Sequence, residues 1–261
     1  MSQFDALSVS ERKTLVAAWV SAKQRFNLTL YIIAHVGTDI VSDAREMAAH
    51  AAAVGADAIS SVPPYYETPS SVANLISWLA QISAAAPKLP LFYYHIPSST
   101  HAPASITVHE LLKESSTKLP ALLGVKYVSS DMMDWYNSIR DYNDTHALLF
   151  APEPKLQSFA TGLGRGAVLA EDFYAPTYLR MQQHYARGEH AAARAEQQWK
   201  FDTDAVFKNF PGQPKRSVYK RLNGVDLGPP RLPQLGMNSS LEASLFAELE
   251  PHGFFAQRPP S

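Results

Sequence analysis

A lysine, several tyrosines and two histidines follow short apolar runs in this sequence, and these residue types form covalent bonds with carbonyl carbons or transfer protons. Lys126 lies in Leu122-Leu-Gly-Val-Lys-Tyr-Val128, so its neighbours along the chain are apolar. Desolvation disfavours the charged form of an amine, and the neutral amine is the form that attacks a carbonyl. The alternative interpretation is a lysine at a strand tip whose amine extends to solvent.

Tyrosines occupy two comparable positions. Tyr94 ends the run Leu91-Phe-Tyr-Tyr94, where a phenol could relay a proton or bind a substrate carboxylate. The commoner role of such a tyrosine is a half-buried ring whose hydroxyl meets water. Tyr65 and Tyr66 lie in a loop bounded by prolines, a composition that is more typical of an interface anchor than of a catalyst.

His35 and His95 also follow apolar runs. Neither has second and third ligands at metal-binding spacing, so we predict hydrogen-bonded structural histidines and no metal site. The chain has no cysteine, which excludes disulfides, thiolate metal sites and a cysteine nucleophile. It also has no nucleophilic-serine elbow, P-loop or zinc motif.

The elements that must position these residues alternate along the chain. Short apolar strands with helices between them are typical of a parallel sheet in an α/β protein, where reacting groups lie at the carboxyl ends of strands. The predicted strands are Leu30–Ala34, Ala58–Val62, Leu91–Tyr94, Ala121–Val128, Ala147–Phe150 and Gly166–Ala170. We expect them to be buried on both faces. Helices are predicted near 8–22, 44–55, 71–86, 108–114 and 132–142, and from about 155. Ser8 and Glu11 predict a capping box at the start of the first, and Gly55 stands where the second should end.

These units fit either an open doubly wound sheet or a (β/α)8 barrel, and the absence of a Gly-x-Gly-x-x-Gly turn weakens the dinucleotide-binding interpretation. From about residue 174 the sequence is mostly helical, with a proline-rich break at Gly228–Pro233. We therefore predict a barrel portion over residues 1–173 and a helical region over 174–261.

Composition bounds the function classes. A net charge of −1 gives no basic excess for nucleic acid, and an apolar share of 46% is that of a globular chain. The start lacks a signal-peptide pattern, and no apolar run approaches the ~20 residues that span a bilayer. The expectation is a cytoplasmic protein that binds neither nucleic acid nor membrane.

Two motifs resemble a known superfamily. Leu91-Phe-Tyr-Tyr-His-Ile-Pro97 and Leu123-Gly-Val-Lys-Tyr127 are similar to the paired tyrosine and lysine strands of the dihydrodipicolinate synthases and N-acetylneuraminate lyases. Gly228-Pro-Pro-Arg-Leu-Pro233 resembles the C-terminal region of the animal-type lyases. Ser99 stands where the synthases carry an arginine for a substrate carboxylate, which favours a sugar-acid lyase. Other collinear similarities are Leu7–Arg12, His35–Gly37, Ala49–Asp57 and Ala84–Pro87.

The resemblance implies a (β/α)8 TIM barrel with C-terminal helices, usually in a homotetramer. It implies that Lys126 forms a Schiff base with the C2 ketone of a sialic acid, and that cleavage of C3–C4 leaves pyruvate and N-acetylmannosamine. Tyr94 matches the tyrosine that contacts the pyruvoyl carboxylate and assists proton transfer. Tyr66 matches an aromatic residue that reaches a neighbouring subunit's site. The mechanism requires no cofactor.

The sequence departs from the family pattern at its start. The Gly-Thr-Thr-Gly-Glu loop, which holds the pyruvoyl carboxylate in the family, is expected before Leu7-Ser-Val-Ser-Glu-Arg12 and is absent. About six βα units in place of eight would leave two sheet edges open. We therefore expect an incomplete barrel, from a fragment, an alternative product or a pseudoenzyme that needs a partner.

The predicted substrate-binding positions depart as well. Ala151 and Glu153 stand in a segment that usually reads Gly-x-Asp-Glu, so one carboxylate remains. Val128 replaces a serine or threonine, and Ala170 replaces a small polar residue. Each replacement removes a hydrogen bond to a sugar hydroxyl.

Three hypotheses follow. The first is a Schiff-base aldolase that cleaves N-acetylneuraminate. The second is a non-catalytic, lyase-like protein that binds sialic acid or associates with a full-length lyase. The third is an aldolase for another 2-keto-3-deoxy sugar acid.

Overall fold

The computed structural model describes residues 4–156, 159 and 166–256. These residues form two compact units. The sheet unit comprises residues 7–152 and 166–168, and the helical unit comprises residues 4–6, 153–156, 159 and 169–256. This division does not decide the predicted boundary after residue 173, which stays a prediction. None of the helices among the described residues has the length and hydropathy that a bilayer crossing requires.

The sheet unit contains a parallel sheet whose strands are neighbours in sequence order, from β1 to β6. Parallel neighbours in this order require a crossover between each pair, and helices supply most of these crossovers. The prediction of an α/β fold with a parallel sheet is therefore confirmed. The strands are β1 Ile33–His35, β2 Ala58–Ser61, β3 Leu91–His95, β4 Leu122–Tyr127, β5 Ala147–Phe150 and β6 Gly166–Ala167.

Apart from the short helix Pro97–Thr100, which was not predicted, the helices described in the sheet unit begin and end close to the predicted residues. They are α1 Val9–Arg25, α2 Val41–Val54, α3 Val72–Ser83, α4 Pro97–Thr100, α5 Val108–Lys118 and α6 Met132–Tyr142. Ser8 and Glu11 form the predicted capping box at the start of α1. Gly55 ends α2 with φ 90°, a left-handed conformation that glycine adopts without a steric penalty. The helix predicted from Lys155 lies mostly outside the described residues.

Strand β1 begins three residues later than predicted. Residue Ile32 donates its N–H to Oδ2 of Asp57 at 2.7 Å, and its carbonyl accepts from the N–H groups of Asp57 and Ala58. Lys23 of α1 contacts the same carboxylate at 2.7 Å. The Asp57 side chain thus anchors the chain ahead of β1, an interaction that the local apolar run does not reveal.

The sheet has two different faces. One packs against the helices and is fully buried, whereas the other, apart from the buried Phe92, carries half-buried and mostly polar side chains. The prediction that the strands are buried on both faces is therefore wrong within this sheet. The buried face carries Ala34, Ile59, Leu91, Tyr93, Val125, Tyr127, Leu148 and Phe150. The half-buried face carries His35, Ser60, Tyr94, Lys126 and Leu149.

The helical unit has its own apolar core. Its helices are α7 Ala175–Ala186, α8 His190–Lys208, α9 Pro214–Asn223 and α10 Ser239–Leu249. Trp199 stacks on Phe254 with ring centroids 6.0 Å apart, and its indole N–H donates to the carbonyl of His252. The predicted proline-rich break lies between α9 and α10. There Arg216 donates to backbone carbonyls of the break, including that of Gly228 at 3.1 Å.

Candidate active site

Lys126 and Tyr94 lie next to each other on the half-buried face of the sheet. Tyr94 on β3 and Lys126 on β4 are direct partners in the parallel register, so their side chains leave the sheet on the same side. Each is the second-to-last residue of its strand, which places both at the carboxyl edge. The structure thus brings together the two residues that the sequence predicts as catalytic.

The amine of Lys126 lies over the face of the phenol ring. Its Nζ is 3.9 Å from the centroid of the Tyr94 ring, well inside the ~6 Å range of a cation–π contact. Both side chains are half-buried, so each remains accessible from one side. The arrangement presents a nucleophilic nitrogen beside a group that can donate or accept a proton.

The next residue pair on the same face, two residues before Tyr94 and Lys126 along each strand, is apolar. Phe92 is the register partner of Gly124 and is buried. A Cβ at Gly124 would lie 2.3 Å from the carbonyl oxygen of Ala147 and 2.7 Å from Cε1 of Phe92. Only glycine permits this approach, which explains the glycine two residues before Lys126.

His35 on β1 approaches Tyr94 across β2. The ring centroids of His35 and Tyr94 are 5.9 Å apart in an edge-to-face arrangement, and Nδ1 of His35 shares a hydrogen bond of 3.2 Å with Oγ of Ser60. Burial lowers the pKa of His35 to about 3, and the positive charges of Arg12 and Lys126 act in the same direction. The imidazole is therefore neutral at physiological pH.

His95 points to the buried face and has no part in this cluster. Its ring stacks on Tyr127 with centroids 5.2 Å apart, and its Nδ1 lies 3.4 Å from the hydroxyl of Tyr93. Burial lowers the pKa of His95 to about 4, although the carboxylates of Asp134 and Asp131 oppose that shift.

Tyr66 lies on the loop that follows β2, where its side chain is 86% exposed. Oδ1 of Asp39 accepts from the backbone N–H groups of Tyr65 at 2.6 Å and Tyr66 at 3.1 Å. The loop therefore has a fixed backbone and projects an aromatic ring into solvent. Such a ring is suited to contact with another molecule.

Val128 and Ala151 lie directly after β4 and β5. Their backbone N–H groups donate to His95 at 2.7 Å and to Tyr127 at 2.9 Å, continuing the ladder of the sheet. Both residues are half-buried at the carboxyl edge, the edge that also carries Lys126.

Glu153 and Ala170, the other two predicted substrate-binding residues, belong to the helical unit. Ala170 is exposed. The carboxylate of Glu153 accepts from the hydroxyl of Tyr178 and, at 3.3 Å, from the amide of Gln197. Two lysine amines lie close to the same carboxylate, that of Lys155 at 3.5 Å and that of Lys200 at 3.6 Å.

Further ion pairs connect the surroundings of Glu153 to other charged residues of the helical unit. Lys200 lies 3.7 Å from Asp204, which contacts Lys215 at 2.9 Å, and Lys215 contacts Glu171 at 2.7 Å. Burial lowers the pKa of Lys155, against the opposing effect of Glu153. Sequence reasoning missed Lys200 and Lys215, because their partners Glu153 and Glu171 are distant along the chain. Within the described ranges, no three histidine, aspartate or glutamate side chains form a cluster suited to a metal ion.

Comparison with known proteins gives a consistent family assignment. A model of the dihydrodipicolinate synthetase family matches residues 3–249. N-acetylneuraminate lyase of Xenopus tropicalis is 34% identical over 230 residues, which cover 87% of this chain and 74% of that protein. N-acetylneuraminate lyase of Mus musculus is 30% identical over 255 residues, covering 96% of this chain and 78% of that protein.

A solved structure agrees with these sequence relatives. N-acetylneuraminate lyase of Proteus mirabilis superposes with a TM-score of 0.85 at 25% identity, covering 97% of this chain and 83% of that chain. The similarity in fold therefore extends over nearly the whole chain.

Proposed function

The chain belongs to the dihydrodipicolinate synthetase family, and from this premise we propose that it is a Schiff-base aldolase that cleaves N-acetylneuraminate to N-acetylmannosamine and pyruvate. The observation that carries the proposal is the Lys126 amine, 3.9 Å from the centroid of the Tyr94 ring at the carboxyl edge of the parallel sheet. The names of the lyase relatives supply the substrate.

The proposed reaction begins with Lys126. Its amine, after losing a proton, attacks the C2 ketone of the sugar acid, and the ketone oxygen leaves as water after protonation, which forms an iminium ion. The electrons of the C3–C4 bond then move into the iminium, while the C4 hydroxyl loses its proton and C4 becomes the aldehyde carbon of N-acetylmannosamine. The remaining enamine takes a proton at C3, and water hydrolyses the imine to release pyruvate and the free amine.

Tyr94 is the proposed proton relay. Its ring lies against the amine, so its hydroxyl belongs to the same small region as the reacting carbonyl, where a phenol can donate and accept in turn. None of the bond changes in this proposed reaction requires a cofactor. We further propose that the sheet is arranged as in the (β/α)8 barrels of the family, and that the protein is a homotetramer in which the exposed Tyr66 ring contacts a neighbouring subunit's site.

Reductive trapping tests the imine. The full chain is incubated with pyruvate and borohydride, and its peptides are mapped by mass spectrometry. We expect a reduced pyruvate adduct on the peptide that contains Lys126 and no adduct after Lys126→Met. The buried Lys155 serves as an internal control. An adduct there, or none on Lys126 under conditions where the chain is folded, contradicts the mechanism.

A second candidate function is aldol cleavage of another 2-keto-3-deoxy sugar acid. Val128 and Ala170 lack the hydroxyl groups expected at their positions, and Glu153 already accepts from Tyr178 and Gln197. Fewer polar groups are then left for the hydroxyls of the sugar. Turnover of a panel of 2-keto-3-deoxy acids separates the two functions. A chain that traps pyruvate but releases no N-acetylmannosamine from N-acetylneuraminate favours the second.

A further inference from the structure

The backbone around His35 is fixed by a buried arginine. The guanidinium of Arg12, from helix α1, donates to the carbonyl of His35 at 2.8 Å and to that of Gly37 at 3.0 Å. Arg12 is only 8% exposed, so these bonds form largely without competition from water. A planar guanidinium that spans two carbonyls fixes both the position and the direction of the chain at the end of β1.

The imidazole ring is fixed as well. Its Nδ1 shares a hydrogen bond with Oγ of Ser60 on the neighbouring strand, 3.2 Å away. A Cβ at Gly37 would lie 2.7 Å from Cγ2 of Val62 and 3.0 Å from Cε1 of His35. The glycine thus lets the chain pass close to β2 without displacing the ring. The arginine therefore fixes the backbone at His35, and the hydrogen bond with Ser60 fixes the ring.

The fixed ring meets the candidate active site. Its edge-to-face contact with Tyr94, at 5.9 Å and an interplanar angle of 76°, follows the geometry that aromatic pairs favour. The amine of Lys126 contacts the face of the same phenol ring. Tyr94 therefore has His35 on one side and the reacting amine on another.

We propose that His35 is a positioning residue, which holds the ring of Tyr94 in place against the amine of Lys126. The inference rests on the proposed function for its chemistry, since positioning matters when amine and phenol act on one carbonyl. Without the imidazole, the Tyr94 side chain gains rotational freedom and its hydroxyl leaves the productive position for part of the time. An error of about 1 Å in such a position costs up to about 100-fold in rate.

Substitutions of His35 separate ring packing from hydrogen bonding. His35→Ala removes both, His35→Asn keeps a polar group that can reach Ser60, and His35→Phe keeps a planar ring without it. His95→Asn is the matched control, because His95 is also a histidine at a strand end but is buried on the opposite face of the sheet. Thermal unfolding of every variant reports on general stability.

Two readouts report on position rather than stability. The first is the rate of imine formation with pyruvate, trapped by cyanoborohydride and measured by mass spectrometry. The second is the NMR signal of the Tyr94 ring in protein with 13C-labelled tyrosine, assigned by its loss in Tyr94→Phe. We expect His35→Ala and His35→Asn to slow imine formation at least about 10-fold and to move the Tyr94 signal. His35→Phe should restore the rate to within about 3-fold, since it keeps the aromatic contact.

The outcomes are separable. An unchanged imine rate and an unchanged Tyr94 signal in His35→Ala overturn the inference, as does an equal effect of His95→Asn on both readouts. If the wild-type chain forms no imine, the proposed function fails, and the Tyr94 signal alone then decides whether His35 positions the ring. If His35→Ala does not fold, Ser60→Ala replaces it. We then expect a smaller effect in the same direction, and the absence of any effect would overturn the inference.

Discussion

At the scale of single residues, the candidate site follows from register. Two strand-end residues can act on one carbonyl only if neighbouring strands place them at the same height and on the same face, as the pairing of Tyr94 with Lys126 does. The amine then contacts the phenol face without any movement of the backbone. This geometry makes distinct roles for the two side chains testable.

Tyr94→Phe separates covalent chemistry from proton transfer. The variant keeps the ring face that contacts Lys126 but loses the hydroxyl. We expect turnover of N-acetylneuraminate to fall by about 100- to 10,000-fold, the usual range for loss of a general acid–base. The pyruvate adduct on Lys126 should still form. Steady-state kinetics and reductive trapping on the same sample measure the two effects, and full retention of turnover would exclude Tyr94 as the proton relay.

Glu153→Gln tests the charged cluster of the helical unit. The change leaves the buried amines of Lys155 and Lys200 without their shared carboxylate and weakens the bond from Tyr178. Because Glu153 is partly exposed, we expect a loss of about 1–3 kcal/mol in the free energy of unfolding, less than for a fully buried pair. Urea denaturation measures it. The control is Glu46→Gln, an exposed partner of Lys13, with an expected change within about 0.5 kcal/mol.

The sequence reveals only part of the site at this scale. Lys126 and Tyr94 are predictable because a strand-end position depends on local pattern alone. The contacts of Glu153 are not, since Tyr178 and Gln197 lie 25 and 44 residues further along the chain. His35 is predictable as a hydrogen-bonded histidine, but its contact with Tyr94 depends on the order of three strands.

At the scale of elements, the N-terminus of helix α5 is stabilised by a side chain of the neighbouring helix α6. The side chain of Thr107 accepts from the N–H of Glu110, as an N-cap does. The carboxylate of Asp134, from α6, accepts from the N–H groups of Val108 and His109, both at 2.9 Å. The first turn of α5 thus has its backbone donors satisfied and a negative charge at the positive end of the helix dipole.

Asp134→Ala should therefore destabilise the sheet unit through α5. Asp134 is 6% exposed, so the two N–H groups that lose their acceptor remain largely out of reach of water. We expect a loss of about 2–4 kcal/mol in the free energy of unfolding, against about 1 kcal/mol for Thr107→Ala. Urea denaturation gives both values. Equal losses would contradict the view that the buried carboxylate is the stronger cap.

Element boundaries were predictable where the signal is local. The capping box at Ser8 and the left-handed Gly55 are read from adjacent residues, and both ends are confirmed. The Asp134 cap and the Asp57 anchor of β1 come from residues 25 or more positions away, so no local pattern indicates them.

At the scale of the whole molecule, alternation of strands and helices was sufficient to predict a parallel α/β sheet. It did not predict that one face of the sheet stays half-buried, because residue type alone does not distinguish the buried Tyr93 from the half-buried Tyr94. The two residues proposed as catalytic, Tyr94 and Lys126, lie on that half-buried face and not in the core. The chain spans about three quarters of the length of the curated relatives, 74% for that of Xenopus tropicalis.

Acid should destabilise the folded chain through His35 and His95. His35 and His95 have folded-state pKa values of about 3 and about 4, below the ordinary histidine pKa of 6.5 that describes the unfolded chain. The unfolded state therefore binds more protons between these values, so stability is complete above pH 6.5 and falls as the pH drops. Between pH 7 and pH 5 each histidine should cost about 2 kcal/mol of unfolding free energy.

Carboxylates affect stability at lower pH than the histidines do, so the two contributions to the pH dependence can be separated. The pKa of Glu189 is lowered to about 2 by its hydrogen bonds from Arg187 and His184, so its contribution to stability is lost only below the ordinary glutamate pKa of 4.5. Urea denaturation at pH 7, 6 and 5 therefore reports mainly on histidines. Since His95→Gln removes one of the two titrations, we expect the loss between pH 7 and pH 5 to shrink by about 2 kcal/mol. An unchanged pH dependence would contradict this prediction, because it would mean that His95 is protonated within the folded core. Its stacking on Tyr127 and its burial make that protonation unfavourable.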